Sequence, residues 1–349
     1  MKAVVYHGPN EISYDEVAKP ELEHPTDAIV KVLKTTICGT DLHILKGDLP
    51  EVTQGRILGH EGIGIVESTA SSVSHFKVGD KVIISCITSC GSCRYCKKGL
   101  PAHCEDGGWI LGHLIDGTQA EYVRIPHADN SLYPIPNGVD DDSAIMLSDI
   151  LPTGFEIGVL NGQVKPGDNV AFVGAGPVGM AAMMTSQFYS PSEIIMIDLD
   201  DNRLEVAREF GATQTINPAK EDVEQRINAL CHGDGVDVAI ECVGVPATFD
   251  ICQKIVGKGG HLANVGVHGQ SVDLQLQELW TKNIILTTGL VNATSTPMLL
   301  KALTAQSSKI APDKLVTHHF SFDEFTKAYD VFGHAADEKA MKVVISQTD

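Results

Sequence analysis

Four cysteines stand close together in this 349-residue chain, Cys90, Cys93, Cys96 and Cys104, spaced C-x2-C-x2-C-x7-C. Four thiolates on a short loop can surround a tetrahedral Zn²⁺ and leave no open position, which is a structural site. An iron–sulfur run opens with the same C-x2-C-x2-C. It places its fourth cysteine sooner and follows it with proline, whereas Glu105 follows Cys104 here. Arg94, Lys97 and Lys98 around the loop offset thiolate charge or simply face solvent.

A second chemical signature is Gly174-Ala175-Gly176-Pro177-Val178-Gly179, directly after the apolar run Val170–Val173. G-x-G-x-x-G between a strand and a helix reads as a phosphate-cradling turn. Gly174 permits the tight turn, Gly176 lets backbone approach a pyrophosphate, and Gly179 lets helix and strand pack closely. Pro177 suits the first helical position, and the N–H groups around Val178 then face the phosphates. Asp198 stands 19 positions beyond Gly179, at the end of the next strand-like run. A carboxylate there accepts from adenosine ribose hydroxyls and repels a 2′-phosphate, which selects NAD. Arg203 is the counter-argument, since a nearby arginine can hold that phosphate. Asp198, at the strand end itself, carries more weight.

Three further residues offer one thiolate, one imidazole and one carboxylate: Cys38, His60 and Asp149. Such a set leaves a fourth position open, as a catalytic zinc requires. Each also has a plainer reading: Cys38 as a small core residue, His60 as a buried hydrogen-bonded histidine, Asp149 as a helix cap. Spacing alone does not unite residues so far apart.

Two kinds of element must position these groups. The first ~150 residues carry short strand-like runs broken by Gly and Pro, at Ala28–Ile37, Gly62–Glu67, Lys81–Ser85 and Gln119–Ile125. They predict a barrel-like β domain. Beyond Lys165-Pro166-Gly167-Asp168 the pattern alternates. Strands are expected at Asn169–Gly174, Ile194–Leu199, Gln214–Asn217, Asp237–Val243, His261–Val267 and Ile284–Leu290. Helices are expected at Val178–Tyr189, Asn202–Phe210, Val223–Cys231 and Ala247–Val256. That is a doubly wound parallel sheet. After Thr296 one helical stretch and strands at Leu315–Phe320 and Lys342–Ser346 are expected, folding back on the first domain. The division is therefore 1–150 with 291–349, and 151–290.

Composition narrows the partners. The formal net charge is −19, which argues against nucleic acid and an anionic membrane surface. No apolar run approaches a membrane span, and the N-terminus reads as a strand without a secretory h-region. Five of nine cysteines cluster between Cys86 and Cys104, which points to metal in a reducing compartment, and so to a cytoplasmic protein.

At these residues the chain resembles the zinc-containing medium-chain alcohol dehydrogenase family, over nearly its whole length. The resemblance rests on Cys38 with Thr40 and His43, on Gly59-His60-Glu61 with Gly62 and Gly64, on the cysteine lobe, and on the Gly174–Gly179 turn. It implies a GroES-like barrel domain and a Rossmann domain, with the active site between them. It implies Cys38, His60 and Asp149 as catalytic-zinc ligands, and Glu61 behind the metal as an occasional ligand. Asp149 is similar to the bacterial secondary-alcohol branch, since many relatives use Cys there, and Leu147–Gly154 resembles formaldehyde-dehydrogenase-like members. Gly39 replaces a basic residue of some animal enzymes, so a pyrophosphate contact is lost. The resemblance further implies a Thr40–His43 proton relay and a nicotinamide ring positioned by Thr153, Val265, Val267 and Leu290. Cys86, Ile87, Trp109 and Leu290 are the pocket candidates.

The expected activity is reversible, NAD-dependent, zinc-dependent oxidation of a primary or secondary alcohol, by a homo-oligomer, a tetramer before a dimer. Rivals are a polyol or threonine dehydrogenase, a zinc-free quinone or enoyl reductase of the same superfold, and a non-enzymatic nucleotide-binding protein.

Overall fold

The computed structural model describes residues 1–305 and 310–347. The chain divides into two compact units. Met1–Asp149, Asn292–Ala305 and the stretch from Pro312 onward form the first; Ile150–Val291, with Ile310 and Ala311, belong to the second.

In the first unit a seven-stranded sheet runs Val316–Ser321, Lys342–Ser346, Ala28–Thr36, Gly62–Thr69, Lys81–Ile84, Leu132–Pro134, and Tyr122–Ile125 also pairs with Ala28–Thr36. A three-stranded sheet, Glu11–Glu16, Lys2–Gly8 and Arg56–Ile57, accompanies it. The central strand Ala28–Thr36 buries Val30 and Val32 fully, and Val82, Ile84, Val123, Val343 and Ile345 pack in the same core. Burying such side chains contributes about 1.5–3 kcal/mol each. The C-terminal strand Lys342–Ser346 pairs antiparallel with Ala28–Thr36, Val344 opposite Thr36.

The second unit holds six parallel strands in the order Gln214–Ile216, Glu193–Ile197, Asn169–Val173, Val236–Glu241, Val256–Asn264, Ile285–Thr288. Numbered in sequence, that is 3-2-1-4-5-6, the doubly wound order with its switch between strands one and four. The central strand Asn169–Val173 is almost wholly buried, which explains its unbroken apolar run.

Three expectations need correction. The run from Gln119 does not start a strand; regular pairing begins at Tyr122, because the Gln119 backbone instead bonds Val4 and Leu58. The fifth strand of the parallel sheet begins at Val256 rather than His261. A bulge between the Val236–Val256 and Val238–His261 pairs absorbs the glycines that read as a break. The tail holds two helices, Thr296–Leu303 and Phe325–Gly333. The second buries Phe325, Ala328, Tyr329 and Val331, with Phe325, Ala328 and Tyr329 at the i, i+3, i+4 spacing of one helix face. Among the described residues no helix is long and apolar enough to cross a membrane.

Candidate active site and metal centres

Cys38, His60 and Asp149 all belong to the first unit, and the fold brings them together. Cys38 ends the segment after Ala28–Thr36 and begins the helix Gly39–Lys46. Its N–H donates to Asp41 Oδ2 at 2.9 Å. Buried Asp41, its carboxyl pushed up by burial, also receives Gln119 Nε2 at 3.2 Å, and Tyr329 Oη donates to Gln119 Oε1 at 2.8 Å. This chain of polar groups fixes the turn that presents Cys38. His60 follows Gly59, whose φ is +91° and where a Cβ would stand 2.6 Å from Gln119 Cγ. Only glycine allows that close approach.

Cys38 Sγ lies 3.9 Å from Asp149 Oδ2, and His60 Nε2 lies 3.5 Å from the same oxygen. Ligand atoms ~2.0–2.3 Å from a tetrahedral zinc stand about 3.3–3.8 Å apart, so the set matches a zinc shell. Burial opposes protonation of His60, yet Asp149 and Cys38 hold it well above the usual imidazole range. Two anionic donors converging on one buried nitrogen are the field a cation would occupy.

Glu61 joins the cluster, with ligand atoms of all four residues within 4.8 Å of one another. Both its oxygens are engaged: Oε1 receives Lys342 Nζ at 2.6 Å and Oε2 receives Thr36 Oγ1 at 2.7 Å. Glu61 and Lys342 are each only 1% exposed. Burial disfavours the Lys342 charge, but Glu61 and Cys38 raise its pKa nevertheless. Glu61 therefore sits behind the donor set as half of a buried ion pair.

Thr40 Oγ1 lies 3.8 Å from Cys38 Sγ. His43, on the same helix, directs Nδ1 to Asp48 Oδ2 at 2.8 Å. Asp48 and Lys342 escaped the sequence reading. Asp48 lies just past the αL glycine Gly47 that ends the helix, and only that turn brings it back to His43. Trp109 stands edge-on to His60 at 6.3 Å between ring centroids and stacks on His113 at 4.3 Å. Cys86 and Ile87 are buried in the same unit.

The four-cysteine group closes as a second donor set. Backbone N–H groups point at sulfur, Cys90 to Cys104 at 3.2 Å and Cys93 to Cys90 at 3.3 Å. Burial works against ionisation of Cys90, but the N–H and hydroxyl of Ser92 and the N–H of Cys93 bring it down to about 6; burial pushes Cys104 up to about 12. Four thiols competing in this way suit one divalent cation, and none of the nine cysteines forms a disulfide.

In the second unit Gly174 has φ +110°, and a Cβ on Gly179 would fall 1.9 Å from Gly174 O. A Cβ on Gly176, by contrast, would meet nothing within 4 Å. No internal neighbour demands glycine at that position, so its open face suits an external ligand. The helix Pro177–Ser186 begins there with Pro177 in its first turn and no side-chain cap, leaving N–H groups for phosphate. Asp198 is pinned beside the turn, Oδ2 receiving Ala175 N–H at 2.6 Å and Oδ1 receiving Asp200 N–H at 2.8 Å. Arg203 Nε is 3.9 Å from Asp200 Oδ2, so its charge is partly spent. Val265 is buried, whereas Val267 and Leu290 are exposed and Thr153 is half-buried.

Residues 24–137 match the alcohol dehydrogenase GroES-like domain, and residues 177–305 match the zinc-binding dehydrogenase domain. An alcohol dehydrogenase of Cupriavidus necator is 34% identical, over 97% of this chain and 96% of its own length. The chain belongs to the zinc-containing medium-chain alcohol dehydrogenase family. It is thus an oxidoreductase with a GroES-like and a Rossmann domain. An L-threonine 3-dehydrogenase of Shewanella putrefaciens is 30% identical over 93% of this chain and 94% of that protein. The structure is similar to zinc-dependent alcohol dehydrogenase 2 from Streptococcus pneumoniae in its apo form. TM-score is 0.94 and identity 57%, covering 100% of this chain and 99% of that one.

Proposed function

We propose that this chain interconverts a small primary or secondary alcohol and its carbonyl with NAD, at a zinc held by Cys38, His60 and Asp149. The observation that carries the reading is the convergence of those three donors, with His60 Nε2 and Cys38 Sγ 3.5 and 3.9 Å from Asp149 Oδ2. Zinc held by Cys38, His60 and Asp149 would supply a Lewis acid for the substrate oxygen, and NAD would supply the hydride acceptor. Thr40, beside Cys38, would accept the substrate hydroxyl proton as it gives up its own toward His43. His43, oriented by Asp48, exchanges it with solvent. Asp198, a carboxylate at the end of the second strand, would repel a 2′-phosphate, which supports NAD over NADP.

The threonine dehydrogenase relative supports a second reading, oxidation of a hydroxyl on a polar substrate. The exposed edge strand Ile285–Thr288, with Trp280 73% exposed nearby, supports a homo-oligomer, and nine free thiols support a reducing, cytoplasmic setting.

A rate screen of simple alcohols, polyols and threonine with NAD and NADP tests the substrate class. Cys38→Ala or Asp149→Ala should abolish turnover and remove one zinc per chain. Retention of both zinc ions and activity would overturn the ligand assignment.

A further inference from the structure

The strand order divides the ligand-facing edge of the second unit into two halves. Gly174 and Asp198 follow the first and second strands, where pyrophosphate and adenosine ribose belong. Glu241 and Asn264 end the fourth and fifth strands, across the switch point, which leaves them the nicotinamide half.

Glu241 is 0% exposed, and a carboxylate is almost never so deeply buried unless it is paired. Its Oε1 accepts from Val243 N–H at 2.9 Å, Gly244 N–H at 2.8 Å and Thr248 Oγ1 at 2.6 Å. These donors surround the start of the helix Pro246–Ile255, so that helix's positive end is filled by the protein's own anion. Glu241 Oε2 makes no hydrogen bond and lies 3.5 Å from His268 Nε2. The same nitrogen is 2.8 Å from Asn264 Oδ1, and Phe249 closes edge-on over the imidazole at 5.9 Å.

The main chain adds to the lock. Val265 and Gly266 N–H donate to the Glu241 carbonyl at 2.8 and 3.1 Å. A Cβ on Gly244 would stand 2.2 Å from Val267 O, one on Gly266 2.4 Å from Glu241 Oε2, and one on Gly174 2.4 Å from Val243 Cγ2. The turns after strands one, four and five therefore interlock without slack, and Glu241 binds two of them directly. If stability alone were at stake, an apolar side chain would fill this space without the desolvation cost of a carboxylate.

We propose that Glu241, braced by His268, is a positioning residue for the nicotinamide half of the dinucleotide. It sets the backbone of residues 243–245 and 265–267 at the spacing that half requires. The proposal rests on the dinucleotide reading above.

The test is binding of NADH and of ADP-ribose, which lacks nicotinamide, to the zinc-loaded protein. The variants are Glu241→Gln, His268→Ala and His268→Gln, with zinc content and circular dichroism as folding checks. Glu241→Gln and His268→Ala should weaken NADH about ten-fold, the loss of one charge-assisted contact, and leave ADP-ribose unchanged. His268→Gln, which keeps a donor, should recover most of that loss. Should Glu241→Gln fail to fold, the two His268 variants decide the matter. Wild-type NADH affinity in a folded His268→Ala would overturn the proposal, and equal weakening of both ligands would overturn the assignment to the nicotinamide half. A wild-type protein that binds neither ligand would overturn the dinucleotide reading, and this proposal with it.

Discussion

Replacing Lys342 with Met removes the cation of the buried pair with Glu61 while roughly preserving volume. Both partners are 1% exposed, and the contact is 2.6 Å. Thr36 still serves Oε2, but Oε1 is left as an uncompensated buried acceptor. Breaking a buried pair by removing one partner costs about 3–5 kcal/mol. At about 2–4 °C per kcal/mol for a unit of this size, the midpoint should fall about 6–20 °C. The matched double variant, Glu61→Gln with Lys342→Met, leaves no buried charge and should regain more than half of the loss. Thermal unfolding of zinc-loaded proteins, followed by calorimetry, reads the whole cycle. A Lys342→Met protein destabilised by less than about 1 kcal/mol would refute the reasoning, because a pair that exposed to water would behave like a surface bridge.

Further outcomes follow from other features. Asp198→Gly should weaken NAD and raise relative NADP affinity in a binding assay; unchanged preference would remove Asp198 from the selection. Metal analysis should find about two zinc ions per chain, and Cys104→Ser should lose one while keeping the His60 site. Burial works to raise the pKa of Asp142, but Lys34 at 2.7 Å and His319 at 2.8 Å lower it below the ordinary carboxylate range. A depressed folded pKa means stability present above the unfolded value and lost as pH falls through the folded one. Asp142→Asn should therefore lower the midpoint at neutral and alkaline pH, leave it little changed in acid, and so flatten its fall on acidification.

What could be read from the chain depended on how locally each feature is encoded. The cysteine lobe and the Gly174–Gly179 turn are legible because each is one loop, with every donor or glycine within a few residues. The alternation of strands and helices beyond Lys165 is legible because buried parallel strands need unbroken apolar runs. The convergence of Cys38, His60 and Asp149 is different. It spans 111 positions, and only the sheet and the Gly59 turn supply the proximity. Lys342 looked like any surface lysine opening a strand, since its partner lies 281 positions away. Glu241 lay inside the expected strand Asp237–Val243 without being singled out, and nothing in its neighbours signalled the imidazole of His268. The helix Phe325–Gly333, which buries Phe325, Ala328, Tyr329 and Val331, went unread because it is a short apolar stretch between two strand-like runs.

The pairing of Ala28–Thr36 with Lys342–Ser346 has a consequence for biogenesis. It is a contact of very high sequence separation, and such contacts are slow to form. The intervening Ile150–Val291 carries its own sheet and core, so it can fold during synthesis. The first unit cannot complete its sheet until much later. At roughly 5–20 residues per second, Lys342 leaves the ribosome about 14–56 s after His60. Throughout that interval Glu61 has no ammonium partner, and Lys34–Thr36 lack the strand that pairs with them on one side. The nascent protein must wait with an unpaired edge and thiols ready for metal, so a premature stop shortly before Lys342 should yield a chain whose second unit is folded and whose first is prey to proteases.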